Sequence, residues 1–156
     1  MVSPTIVHRV DSSMRARYSS HSHFSFKEVS ADSYRFATET IPPILFRFNP
    51  TPWYGEDECS IDLEMPIFSG FGITGEFLGW MAEAQSLDGA RYFRFKLAVH
   101  QPDNSAPVGD LAFTHASHSL DLDSATLSTA LEQMSYFGSQ VRAGVTQRFG
   151  GFVLPF

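Results

Sequence analysis

The chain has 156 residues, of which 43% are hydrophobic, and a formal net charge of −6. That size and apolar content fit one domain with its own core. The acidic balance argues against nonspecific nucleic-acid binding, which needs a basic footprint to displace counterions, and against anionic membrane surfaces. The one cysteine, Cys59, rules out an internal disulfide and hence a disulfide-built secreted scaffold.

No run approaches the roughly eighteen apolar residues of a membrane span. The first residues lack the apolar core of a signal peptide, so a cytoplasmic location is expected. The stretch Met1–Ser20 is polar and rich in Ser and Arg. It reads as a loosely structured segment, with a short strand at Thr5–Val10 at most, ahead of a single α+β domain over 21–156.

His23–Val29 alternates through Phe24 and Phe26 as a strand does. Ser30–Ser33 is a turn by its Ser and Asp side chains, and Tyr34–Thr40 resumes as a strand. Pro42 and Pro43 donate no backbone hydrogen bonds and must interrupt pairing, after which Ile44–Phe48 puts Ile44, Phe46 and Phe48 on one face. Asn49–Glu58 is a loop by composition. It sets Trp53 and Tyr54 beside Glu56, Asp57 and Glu58, an aromatic–acidic mix that resembles a contact surface. Cys59–Ile67 alternates cleanly, with Ile61, Leu63, Met65 and Ile67 on one side. The glycines of Phe68–Gly75 suit a bulged strand or a tight crossing, and their spacing is not that of a phosphate loop.

Asp88-Gly89 favours a tight hairpin turn. Around it Ala84 faces Phe93, Ala82 faces Phe95, Trp80 faces Leu97 and Leu78 faces Val99, all apolar pairs, while Glu83 faces Arg94. The competing reading is a helix over Glu76–Ser86, since Phe77, Trp80, Met81 and Ala84 also fit helical spacing. The register match favours the hairpin. After a turn at Gln101–Pro107, Val108–His115 pairs back with Leu111 opposite Leu97 and Phe113 opposite Phe95, which puts His115 on the apolar face.

Ser124–Phe149 carries apolar residues at Leu127, Leu131, Met134, Val141, Val145 and Phe149, in the three- and four-residue steps of a helix's buried stripe. Ser128, Glu132 and Ser135 fall on its polar side. Asp123 or Ser124 caps it. Gly138 and Gly144 mark either close contact with the sheet or a break. Gly150-Gly151 ends the helix, and the apolar tail Phe152–Phe156 is expected to dock.

The fold expected is therefore α+β, a mostly antiparallel curved sheet of about five to seven strands on one long C-terminal helix. A meander closing on such a helix is similar in architecture to helix-grip ligand-binding folds, although the helix pair those folds carry after their first strand has no counterpart in the pattern.

Cys59 reads as a small buried residue rather than a nucleophile. The run His21-Ser22-His23 with Glu28 has a metal-like spacing, but isolated spacings of this kind are weak, and no metal or cofactor is expected. Two functional classes remain. The first is a non-catalytic binding protein (adaptor, inhibitor or immunity type) that meets a protein partner through Trp53, Tyr54, Glu56, Asp57 and Glu58. The alternative is a carrier or enzyme with an apolar pocket between sheet and C-terminal helix. Trp80, Phe93, Phe95, Phe113, His115 and Met134 would line that pocket, with His115 as acid–base group.

Overall fold

A computed structural model describes residues 2–50, 58–85, 93–101, 103–118 and 125–153, with the side chains of 85, 125–126, 139–147 and 152–153 outside the description. In chain order the elements are α1 (Pro4–Tyr18), β1 (Ser25–Ser30), β2 (Ser33–Ala37), β3 (Ile44–Pro50), β4 (Cys59–Gly72), α2 (Gly75–Gln85), β5 (Arg94–His100), β6 (Val108–His118), α3 (Ala125–Phe149) and β7 (Phe152–Val153). The expected α+β class with an antiparallel sheet is what the chain forms. The sheet runs β1-β2-β3-β4-β6-β5, with β7 added beside β4.

The N-terminal segment departs from expectation, because Pro4–Tyr18 is a helix and not a loose arm. Its start is specified locally. The Ser3 side chain accepts from the Thr5 N–H, and Pro4 occupies the first helical turn, where its missing N–H costs nothing. Ile6, Val10, Met14 and Tyr18 recur every fourth residue and are at most 4% exposed. One apolar residue per turn is enough to dock a helix whose other faces are polar. Tyr18 packs its ring on Phe36 of β2 at 5.2 Å.

β1 to β4 form an antiparallel meander. Phe36, Ile44, Phe46, Ile61, Leu63, Met65 and Ile67 are at most 1% exposed and make the core face. The register of β4 against β6 shifts at Pro66/Phe68 and again at Phe68/Phe71, the bulged strand its glycines suggested.

The hairpin expected around Asp88-Gly89 does not form on its first arm. Residues 75–85 are α2, the competing helix. Thr74 caps it, its hydroxyl accepting from the Phe77 N–H at 3.1 Å. Phe77, at 0% exposed, stacks on Phe71 with ring centroids 4.2 Å apart. The reason is topological. β4 and β5 are both antiparallel to β6, which lies between them, so they run parallel to each other. A parallel return needs a crossover, which α2 supplies and a tight hairpin cannot. The β5–β6 register agrees with the sequence reading, with Phe95 opposite Phe113 and Leu97 opposite Leu111.

The α3 backbone is helical from Ala125 to Phe149, through both Gly138 and Gly144. Its described packing lies in the first half, where Leu127, Ala130, Leu131, Met134 and Phe137 are at most 6% exposed. Val141 and Val145 have side chains outside the description, and the expected caps Asp123 and Ser124 lie outside the described residues. A Cβ on Gly138 would come within 3.2 Å of Ile67 Cδ1 and 3.7 Å of Phe113 Cε2, so this glycine marks close contact with the sheet. Ser135, expected on the polar side, is 9% exposed and donates to the Thr40 carbonyl at 3.2 Å, tying α3 to the β2–β3 connection. After α3, Gly150 and Gly151 adopt φ of +75° and +71°. A Cβ on Gly151 would lie 2.5 Å from the Ser69 carbonyl oxygen, so only glycine lets Phe152 and Val153 pair with Ser69 and Phe68.

Candidate partner-binding site

Docking α1 on the sheet creates a groove beside its buried stripe. Pro4, Val7, His8, Asp11 and Arg15 fall in three- and four-residue steps along one flank of the helix, and Phe26, Glu28, Ala31, Asp32 and Tyr34 from β1, β2 and their turn form the opposite wall. The space between them is about 500 Å³ and opens to solvent. Its floor is apolar. Phe26 and Tyr34 stack at 5.2 Å with an interplanar angle of 16°, and Val7 packs beside the core from the helix side.

The rim is charged and fixed. Asp32, at φ +58° in the β1–β2 turn, accepts from the Val2 N–H at 2.8 Å and so ties the helix start to the strand pair. Arg15 pairs with Asp11 through both carboxylate oxygens at 3.0 Å and lays its guanidinium over Phe24 at 5.3 Å. The Tyr34 hydroxyl is pushed above its ordinary pKa of 10.0, first by burial and then by Glu28, Asp32 and Asp11. Tyr34 thus stays a neutral hydroxyl, in a groove whose net potential is negative. β1 forms an outer edge of the sheet, with Lys27, Glu28, Val29 and Ser30 exposed along it.

Trp53, Tyr54, Glu56 and Asp57 lie outside the described residues. Glu58 is described, and its carboxylate stands 3.9 Å from the Arg9 guanidinium of α1. Arg9 is two residues from Asp11, about 200° of helical rotation, so the stem of that loop meets α1 on the flank away from the groove.

The residues expected to line a pocket under α3 come together as a ring cluster. Phe93 and Phe113 are 4.5 Å apart, Phe95 and Phe113 5.0 Å, and Trp80 and Phe95 6.4 Å. Met134 is fully buried, and Phe137, which the helical stripe as read left out, joins at 5.6 Å from Phe93. His115 is half-buried on β6, opposite Leu63 of β4. Cys59 is buried. His21 and His23 are exposed and precede β1, with His23 at φ +58°, so they do not share one side of a strand. Among the described residues no group of three or more His, Cys, Asp or Glu side chains gathers for a cation.

One further polar cluster sits at the β4 bulge. Asp110 accepts from the Ser69 hydroxyl at 2.6 Å and the Gly70 N–H at 3.2 Å, and lies 2.6 Å from His100 Nε2. The carboxylate stands between serine and histidine. This differs from the hydrolytic relay, in which the imidazole takes the serine proton. The Ser69 hydrogen bond leads in holding the Asp110 carboxyl below its ordinary 3.8, against partial desolvation and helped by His100 and Gly70. A depressed folded pKa contributes stability above the unfolded value, lost as pH falls through the folded one. Asp110→Asn is therefore expected to be less stable than the parent at neutral pH. The gap should close below pH 3.8, as seen in urea midpoints measured across pH.

No protein-family model matches the chain, and no curated protein matches it. Among solved structures, that of YbjN, a proposed transcription regulator from E. coli, is similar at a TM-score of 0.47 and 9% identity, covering 96% of each chain. That likeness is too remote to carry an argument. Among the described residues no helix is long and apolar enough to cross a membrane.

Proposed function

We propose that this chain is a non-catalytic binding protein that holds a short segment of a protein partner in the groove between α1 and the β1–β2 pair. The observation that carries the reading is the groove itself: open to solvent, floored by Val7, Phe26 and Tyr34, and rimmed by Asp11, Glu28 and Asp32 against a single arginine, Arg15. An apolar floor supplies affinity through desolvation, and the rim supplies selectivity and encounter rate. The net acidic rim favours a partner segment with an apolar anchor next to Lys or Arg. The aromatic–acidic loop of Trp53, Tyr54, Glu56, Asp57 and Glu58 is the second contact surface in this reading, and the cytoplasm is its compartment.

Val7→Glu places a carboxylate on the apolar floor of an already negative groove. Partner capture from host lysate, quantified against the parent chain, is expected to fall at least tenfold for the specific partner, or about 1.4 kcal/mol. Capture by the parent should weaken as salt is raised. Unchanged capture by a Val7→Glu protein of normal thermal stability would reject the groove as the binding site.

A further inference from the structure

We propose that two copies of this chain pair through the outer edge of β5, as antiparallel strands about a two-fold axis at Leu97, joining the two sheets into one. β5 ends the sheet order, bonded to β6 on one side and to no other strand among the described residues. Along its core face the helical cover thins towards the C-terminal end. Phe95 and Leu97 are half-buried, and Val99 is 56% exposed. On α2, which packs on β5 through Trp80 and Phe95, Leu78 is 43% exposed. These two belong to the few large apolar side chains left in solvent among the described residues. An exposed strand edge flanked by apolar side chains is a template for another strand.

The side chains along β5 say which strand fits. A two-fold axis at Leu97 sets Phe95 against the partner's Val99 and Leu97 against the partner's Leu97. On the other face Arg94 meets the partner's His100, and Lys96 meets the partner's Ala98. Every core-face pair is apolar, and no two lysines or arginines stand directly opposite. Lys96 reaches Glu64 at 3.0 Å, a carboxylate it shares with Arg47 at 2.9 Å. Moving the axis to Lys96 sets two lysines face to face, and moving it to Ala98 leaves Phe95 beyond the end of the partner's β5 and sets Lys96 against the partner's His100. An odd register puts the two helical layers on opposite faces and Phe95 against Ala98. The row is self-complementary about one point, which is what an isologous dimer requires and an unrelated strand does not. The β1 edge, with Lys27 and Glu28 exposed around Val29, has no such row.

Sedimentation velocity on the full chain over a concentration series is expected to show a monomer–dimer equilibrium. Val99→Lys, at an exposed position that leaves the core untouched, is expected to weaken the dimer at least tenfold. Leu97→Cys is expected to form an interchain disulfide under mild oxidation, because facing Cα atoms of an antiparallel pair are about 4.5–5.5 Å apart, within disulfide reach. Arg94→Cys, three residues from the axis, is expected not to, and the native Cys59 is buried and does not compete. A monomer at every concentration overturns the proposal. So does a dimer that Val99→Lys leaves intact, or cross-linking no faster at residue 97 than at 94. Partner capture through the α1 groove is read separately, so either idea can fail alone.

Discussion

Val10→Asp is expected to be among the most damaging single substitutions in the chain, costing on the order of 4 kcal/mol or more. Val10 is 0% exposed, between Ile6 and Met14 in the stripe that docks α1 on the sheet. The substitution removes an apolar side chain from the core and leaves an unpaired carboxylate there, and each loss alone amounts to a few kcal/mol. Urea denaturation reads the loss as a lower midpoint. Limited proteolysis is expected to show the first twenty residues cut earlier than in the parent. Ser12→Asp is the control, because Ser12 is exposed on the same helix and should cost within about 0.5 kcal/mol. If the two variants behaved alike, α1 would not be docked. The partner groove, which α1 and the strands enclose jointly, would then lose its physical basis.

That helix is also where sequence reading stopped short. Ile6, Val10, Met14 and Tyr18 form a single row between polar residues, and a Ser- and Arg-rich composition outweighed it. The usable signal was Ser3-Pro4 as a helix start followed by apolar residues at fourfold spacing. Since the groove needs α1, the candidate site was illegible with it. Residues 75–85 failed differently. Apolar residues there are dense enough to satisfy both the two-residue and the helical period, so periodicity could not arbitrate. What decides is that β6 lies between β4 and β5, a long-range pairing that no local pattern carries. Where one period was unambiguous the reading succeeded. Cys59–Ile67 is strand, and Phe95 and Leu97 face Phe113 and Leu111. Gly138, which the sequence left open between a close contact and a break, is a point of close approach to the sheet.

Phe113→Ala is the second large effect expected. Phe113 is 0% exposed at the centre of the ring cluster, with Met65 opposite it on β4 and Phe95 opposite it on β5, and Phe137 of α3 above at 5.9 Å. Truncation removes the ring's transfer free energy and leaves a cavity, together about 3–5 kcal/mol. At roughly 2–4 °C per kcal/mol for a chain of this size, the melting temperature should fall by about 10 °C. Phe113→Leu keeps much of the volume and should lose far less. The same geometry supplies a stricter test. A side chain added at Gly138 points at Phe113 Cε2, at 3.7 Å from the added Cβ, and at Ile67 Cδ1. In the parent, Gly138→Leu overpacks this contact and is expected to cost about 1–3 kcal/mol. In the Phe113→Ala background it enters the space the ring left, so the double variant should be more stable than the sum of the single losses predicts. A favourable coupling of about 1 kcal/mol or more is the expected reading of the cycle. Strict additivity would mean that α3 does not press on β6 at Gly138, and the contact that fixes the first half of the helix on the sheet would have to be sought elsewhere.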